Sequence, residues 1–283
     1  MDYMKILANG NRVTSTTALQ RSSAETAEDF TIRFVFGGSE MCTIGRRKLS
    51  VQNDSFIVLN KGTLFTSSIE SDTPVTVFSI SFDEAFIDDF KRTWLIPDEM
   101  DDETMQNLAE TIYPCKGEMR AIVSQFKDYW DSCAADPATI DQFMDQCLLC
   151  YFGVYHDEIF QKAANLNFLH YNTRVEILRR LNLAKEYLYA NYSRNINLEN
   201  LADHACLSVN HLLRTFKLAY NQSPHQFLIQ LRLQRAQSLL TKTEYPIYEI
   251  VNMVGFKCTS SFIRLFRMRY KTTPLKYRNV LAA

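Results

Sequence analysis

The 283-residue sequence predicts an α+β chain of two domains: a β-rich first part with helices behind it, and an all-α last part built on an internal repeat. Three observations carry this expectation. Between residues 28 and 83, apolar and polar residues alternate at the period of strands. From residue 84 onward the spacing lengthens to three and four residues, the period of helices. Finally, "LLRTFKLAYNQSP" (212–224) returns as "FIRLFRMRYKTTP" (262–274), with Arg214/Arg264, Phe216/Phe266, Tyr220/Tyr270 and Pro224/Pro274 in register.

In the β-rich part, "FTIRFVF" (30–36) sets Ile32, Phe34 and Phe36 against Thr31, Arg33 and Val35, and "DSFIVLN" and "TPVTVFSISF" repeat the pattern. Gly37-Gly38, Asn53-Asp54, Lys61-Gly62 and Asp72-Thr73-Pro74 punctuate the strands as turn signals. Several short strands at this spacing predict a small barrel or sandwich. No histidine precedes His156 and the strands carry few carboxylates, so no metal is expected there. Behind the strands, Met119, Ile122, Val123, Phe126 and Trp130 fall on one helical stripe. Ile140, Phe143, Met144, Cys147, Leu148, Tyr151 and Tyr155 fall on a second, which serves the chain's own core or, at Phe143, Cys147 and Tyr151, the interface of a homodimer. Cys147 and Cys150 have CxxC spacing, yet no second pair completes a metal site, and both read as helix residues.

The last part is helical throughout. "RVEILRRLNLAKEYLYANY" leads into a short helix marked by Leu198, Leu201, Ala202 and Ala205, a tight turn at Cys206-Leu207, and a second helix with Ser208 as its N-cap. Ile247, Ile250, Val251 and Val254 repeat the short helix, Gly255 marks its turn, and another Ser/Thr-led helix follows. The offset between copies is 49 before the turn and 50 after it, so the second turn holds one residue more. Each copy is a helix-turn-helix. Between them Pro224 opens a helix of about 18 residues and about 27 Å, on the scale of one DNA turn of roughly 34 Å. Two such units on a stiff helix suit successive major grooves on one face of a duplex.

Charge divides the same way. Residues 174–283 hold 17 Lys/Arg against 6 Asp/Glu, whereas the first 173 hold 14 against 26, although the whole chain carries only −1. A basic segment of this kind is expected to meet a polyanion. The N-terminus lacks the pattern of a secretory signal and no apolar run approaches the roughly 18 residues of a membrane span, so a cytoplasmic protein without membrane contact is expected. Seven scattered cysteines suit a reducing compartment. There is no GxSxG, no Gly-rich phosphate loop and no metal spacing among the five histidines. No catalytic residue, cofactor or metal ligand is therefore assigned, and an enzyme is not expected.

The stretches "LADHACLSVNHLLRTFK", "SPHQFLIQLRLQRAQSLL", "IYEIVNMVGF" and "SSFIRLFRMRYKTTPLKYR" resemble the DNA-binding domain of the AraC/XylS family of bacterial transcription regulators over residues 175–278. The resemblance implies a cupin-like sensor barrel plus dimerisation helices over 1–170, and an AraC-type DNA-binding domain over 171–283. It implies sequence-specific binding to double-stranded promoter DNA, activation through RNA polymerase, and a small-molecule effector in the barrel. A ligand-independent repressor and a cupin-type enzyme fused to a DNA-binding domain are the alternatives. Relatives carry a Gly-Asp…Pro-Gly…His stretch where this chain reads "NDSFIVLNKGTLF", with Phe65 in the place of the histidine. They also place Gly after each reading helix, where this chain has Asn221 and Lys271, so an altered second cap is expected.

In the first reading helix Leu212 and Phe216 face inward, which leaves Val209, Asn210, Leu213, Arg214 and Lys217 outward. In the second, Phe262 and Phe266 face inward and leave Thr259, Ser260, Ile263, Arg264 and Arg267 outward. Asn210 suits adenine, Leu213 a thymine methyl, and Arg214 guanine or phosphate. For Arg214 and Arg264, base reading, phosphate clamping and an ion pair within the domain all stay open.

Overall fold

The computed structural model describes residues 2–94, 110–132, 136–166, 168 and 170–281. They form a mixed helix-and-sheet protein of two compact units, residues 1–182 and 183–283. The division falls within the helix that begins at Tyr171.

The first unit carries strands β1 (Asp2–Ile6), β2 (Arg12–Thr26), β3 (Phe30–Phe36), β4 (Ser39–Ile44), β5 (Arg47–Gln52), β6 (Ser55–Leu59), β7 (Leu64–Phe82) and β8 (Ile112–Pro114), all paired antiparallel. The long strand β7 organises them. Its second half lies between the start of β2 and β3, while its first half lies between the end of β2 and β4. Asp72-Thr73-Pro74, read from the sequence as a turn, instead lies inside β7, where the register against β2 shifts between Ala18 and Gln20. A bulge of this kind bends a strand without ending it. Among the described residues the path β1-β2-β7-β3-β6-β8 does not return on itself, so the sheet is not closed, and the barrel expected from the sequence is here an open, bent sheet. Strands β1 and β2 escaped the sequence pattern because β2 (RVTSTTALQRSSAET) buries only Val13 and Ser15.

One face of β3 and β7 is the aromatic core. Phe78 meets Phe126 edge-on at 5.3 Å and Trp130 at 6.4 Å, both from helix α2 (Gly117–Asp131). Helix α1 (Glu84–Thr93) follows β7 and buries Phe90 against Phe152, stacked at 5.9 Å. Helix α3 (Pro137–His156) starts with Pro137 behind the N-cap Asp136, whose carboxylate accepts from Thr139 N–H. It runs on through a π turn (Asp157–Gln161) and one further helical turn (Lys162–Ala164). The stripe offered as a subunit interface is largely core of the unit itself. Cys147 and Tyr151 are fully buried, with Tyr151 5.4 Å from Phe30 and 5.9 Å from Tyr113, and Phe143 stacks on Phe126 at 5.0 Å. Tyr151 thus covers the sheet, whereas Phe143 packs on helix α2.

The opposite face of β3 buries charge. Arg33 Nε donates to both carboxylate oxygens of Glu40 at 3.0 Å and its Nη2 to Oε1 at 2.6 Å, and Glu40 is inaccessible to solvent. The remaining donors reach Ser79 Oγ at 3.3 Å and Ser67 Oγ at 3.2 Å. The Phe65 ring lies 5.3 Å from the guanidinium. Beside this pair is a cavity of about 330 Å³ lined by Thr14, Thr16, Arg21, Glu25, Arg33 and Ser79, with Met4 and Val77.

Helix α4 (Tyr171–Asn191) leads to α5 (Leu198–His204), α6 (Val209–Tyr220), α7 (Pro224–Lys242), α8 (Ile247–Met253), α9 (Thr259–Tyr270) and α10 (Pro274–Leu281). Ser223 and Gln226 form a reciprocal capping box around Pro224, which explains the sharp start of α7. Each half of α7 supports one repeat. Phe227 meets Phe216 of α6 edge-on at 5.7 Å, while Leu233, Ala236 and Leu240 share a core with Ile250, Val251, Val254, Phe262 and Phe266.

Candidate nucleic-acid interface

The two repeats close their turns alike. Cys206 (φ +52°) and Gly255 (φ +83°) take the left-handed conformation, and Leu207 N–H donates to Ala202 C=O at 2.9 Å as Phe256 N–H does to Val251 C=O at 3.0 Å. Ser208 then caps α6, its hydroxyl accepting from His211 N–H at 3.3 Å. Cys258 takes the N-cap position of α9. Helices α6 and α9 both end left-handed without glycine, at Asn221 (φ +54°) and Lys271 (φ +60°). Lys271 N–H closes onto Arg267 C=O at 2.9 Å, a cap costing about 1–2 kcal/mol of backbone strain for a residue with a Cβ.

Leu212, Phe216, Phe262 and Phe266 are fully buried. They turn the opposite arcs of α6 and α9 outward. Asn210, Arg214, Lys217, Thr259, Ser260, Ile263, Arg264 and Arg267 are exposed, and Val209 and Leu213 are half-buried. Among the described residues the side chains of Arg214, Lys217, Arg264 and Arg267 have no ion-pair or hydrogen-bond partner. Among the described residues neither Arg214 nor Arg264 makes the ion pair within the domain that the sequence left open. Ile263 is 38% exposed and Met268 61%. With Ser260, Arg264, Arg267 and Thr273 they border a shallow groove of about 610 Å³. Met268 was missed from the sequence, although its position four residues after Arg264 places it on the same arc.

Three further arginines are occupied within the fold. Arg179 and Arg180 each bond Glu176 at 2.8 Å, and these hydrogen bonds hold its carboxyl down at about 2. Arg278 Nη2 donates to Tyr245 C=O at 2.7 Å. Tyr277 packs 5.6 Å from both Phe266 and Tyr270, and its hydroxyl accepts from Gln237 at 2.7 Å. Among the described residues no three His, Cys, Asp or Glu side chains are grouped to hold a metal ion, and no helix is long and apolar enough to cross a membrane.

A helix-turn-helix domain family matches residues 201–279. The raffinose operon transcriptional regulatory protein RafR of Pediococcus pentosaceus is 34% identical over 107 residues, covering 38% of this chain and 39% of RafR. The uncharacterized HTH-type transcriptional regulator YdeC of Bacillus subtilis is 31% identical over 101 residues, covering 36% of this chain and 35% of YdeC. A solved transcriptional regulator from Chromobacterium violaceum, described by its AraC-type DNA-binding domain, is 28% identical over 36% of this chain and 92% of its own, with a TM-score of 0.35. Residues 201–279 form an AraC-type DNA-binding domain. All ten candidate contact residues lie inside this AraC-type domain. Apo ToxT from Vibrio cholerae aligns over 98% of this chain and 100% of its own, at 14% identity and a TM-score of 0.45. The matched region spans 35% to 39% of the length of the two curated relatives.

Proposed function

We propose that the chain is a sequence-specific transcription regulator that binds double-stranded promoter DNA, with α6 and α9 in two successive major grooves. The observation that carries this is the pair of outward arcs on the AraC-type domain, each with an arginine free of ion pairs and an apolar residue at the same step: Leu213 beside Arg214, Ile263 beside Arg264. Arginine suits guanine or phosphate, and the exposed Ile263 and the half-buried Leu213 gain from a thymine methyl what they do not gain from water. The relatives RafR and YdeC, both named transcriptional regulators, support the same reading.

The first unit acts in this proposal as a cupin-like sensor whose sheet stays open, and the cavity beside Arg33 and Glu25 receives a small-molecule effector. The protein works in the cytoplasm as a homodimer and as an activator that touches RNA polymerase. Because Cys147 and Tyr151 are buried, the dimer uses the outward side of α3, where Leu149 is exposed. The test is footprinting and fluorescence anisotropy with the full chain on fragments of its own genomic neighbourhood. A preference of about 10³ or more for one fragment over a scrambled duplex is expected. Equal affinity for all duplexes refutes sequence-specific regulation.

A further inference from the structure

The second turn of the AraC-type domain is longer than the first by one residue, and the outward arcs of α6 and α9 leave that residue without a task. Leu207 and Phe256 close their turns with the same hydrogen bond, and Ser208 and Cys258 hold the same N-cap position. The additional residue is therefore Lys257. It is exposed and lines a cleft of about 520 Å³ together with Ser193, Asn195, His225 and Asn252.

The walls of this cleft are fixed. Arg232 ties down the connection between α4 and α5, its Nε donating to Tyr192 C=O at 2.7 Å and its Nη2 to Arg194 C=O at 2.8 Å, and it lies 5.8 Å from the Phe256 ring. Gly255 lets the turn close onto the same connection, because a Cβ there would stand 2.5 Å from Ser193 C=O. The lining chemistry is one-sided: an ammonium, a guanidinium, an imidazole, a hydroxyl and two amides, with no carboxylate. The first repeat offers no such set, since Asp203 stands at the position of Asn252 and nothing stands at that of Lys257.

Lys257 directly precedes the N-cap of α9, whose first turn carries Thr259 and Ser260. A reading helix enters the groove by its N-terminal end, so an anion in the cleft lies beside the backbone bordering that groove. We propose that this cleft clamps a phosphate of the DNA backbone, with Lys257 as its cation, and so sets the register of the second reading helix. The proposal rests on the reading of α9 as a DNA-groove helix.

The test compares full-length wild type with Lys257→Gln and Lys257→Arg, all checked for fold by circular dichroism. Anisotropy is recorded on the preferred duplex and a scrambled one across a series of salt concentrations. Lys257→Gln is expected to weaken both duplexes alike, by about threefold to tenfold, and to lower the slope of log affinity against log salt by about one. Lys257→Arg is expected to keep both. A Lys257→Gln protein with wild-type affinity and slope overturns the clamp alone, whereas a wild type that binds neither duplex overturns the DNA reading and the clamp together. Loss confined to one base position overturns it in favour of base reading. Titration with inorganic phosphate, followed by NMR, separates the sources: phosphate binding lost in Lys257→Gln with an unchanged DNA slope makes the cleft a free-anion site and overturns the proposal.

Discussion

Replacing Glu40 by Ala strands the Arg33 guanidinium inside the first unit. Three of its hydrogen bonds go to Glu40, leaving Ser67 Oγ at 3.2 Å, Ser79 Oγ at 3.3 Å and the Glu25 carboxylate at 3.6 Å. Removing one partner of a buried ion pair costs about 3–5 kcal/mol, because the other charge stays out of water without compensation. For a unit of this size each kcal/mol lowers the melting temperature by about 2–4 °C, so Glu40→Ala should melt about 6–20 °C early. The double variant Arg33→Met/Glu40→Leu removes both charges and should recover most of the loss, since apolar isosteres of buried pairs are often neutral or better. The chain's two tryptophans, Trp94 and Trp130, both lie in the first unit, so their fluorescence follows that unit even where the two units do not melt together. A Glu40→Ala protein within about 1 kcal/mol of wild type, or a double variant no more stable than the single one, refutes the reasoning.

Arg214→Ala should cost the preferred duplex about 1–3 kcal/mol and flatten preference at one base pair, read by anisotropy on a set of single-base variants; uniform weakening with a salt slope lower by about one assigns Arg214 to phosphate instead. Ser208→Ala removes the cap bond to His211 N–H and should destabilise the second unit by about 1 kcal/mol, measured by circular dichroism in urea. Alkylation mapped by mass spectrometry should find Cys258 first. The Ser261 N–H lowers its thiol below the ordinary value, so the thiolate forms at lower pH and the rate–pH curve shifts downward. Cys115, pushed up to about 11 by burial, and the buried Cys42 and Cys147 should react only on unfolding, and equal rates at all sites contradict this order.

What was legible in the sequence was local. Ser208, Pro224 and Gly255 act within a few residues of themselves, so the caps, the start of α7 and the second turn could be placed from residue type alone. The spacing of Leu212/Phe216 and Phe262/Phe266 likewise sorts α6 and α9 into inner and outer arcs, because a helix maps sequence onto faces by its period. The first unit depends on pairing across distance. Thr14 meets Ser79 and Glu25 meets Phe65, and neither partner betrays the other. Whether Asp72-Thr73-Pro74 ends a strand or bulges one is decided by β2 lying alongside, not by the three residues. The ion pair was hidden for the same reason, since Arg33 looks like the solvent-facing step of an alternating strand until β4 brings Glu40 over it. The helical spacing of Phe143, Cys147 and Tyr151 reads first as core, and the structure buries Cys147 and Tyr151 fully while Phe143, half-buried, stacks on Phe126.

Helix α7 joins the two repeats as a rod, and a rod of this kind couples distance to rotation. Its 19 residues rise about 28 Å, and each further residue would add about 1.5 Å while turning everything beyond it by about 100°. One inserted residue would swing α9 to another side of the rod altogether. Seven inserted residues, close to two whole turns, would return it to nearly the same azimuth about 10 Å further on, a displacement of about three base pairs. The separation of α6 and α9 is therefore quantised in helical turns, and under the proposed function drift in the length of α7 would be paired with stepwise, not gradual, changes in the spacing of the DNA sites it fits.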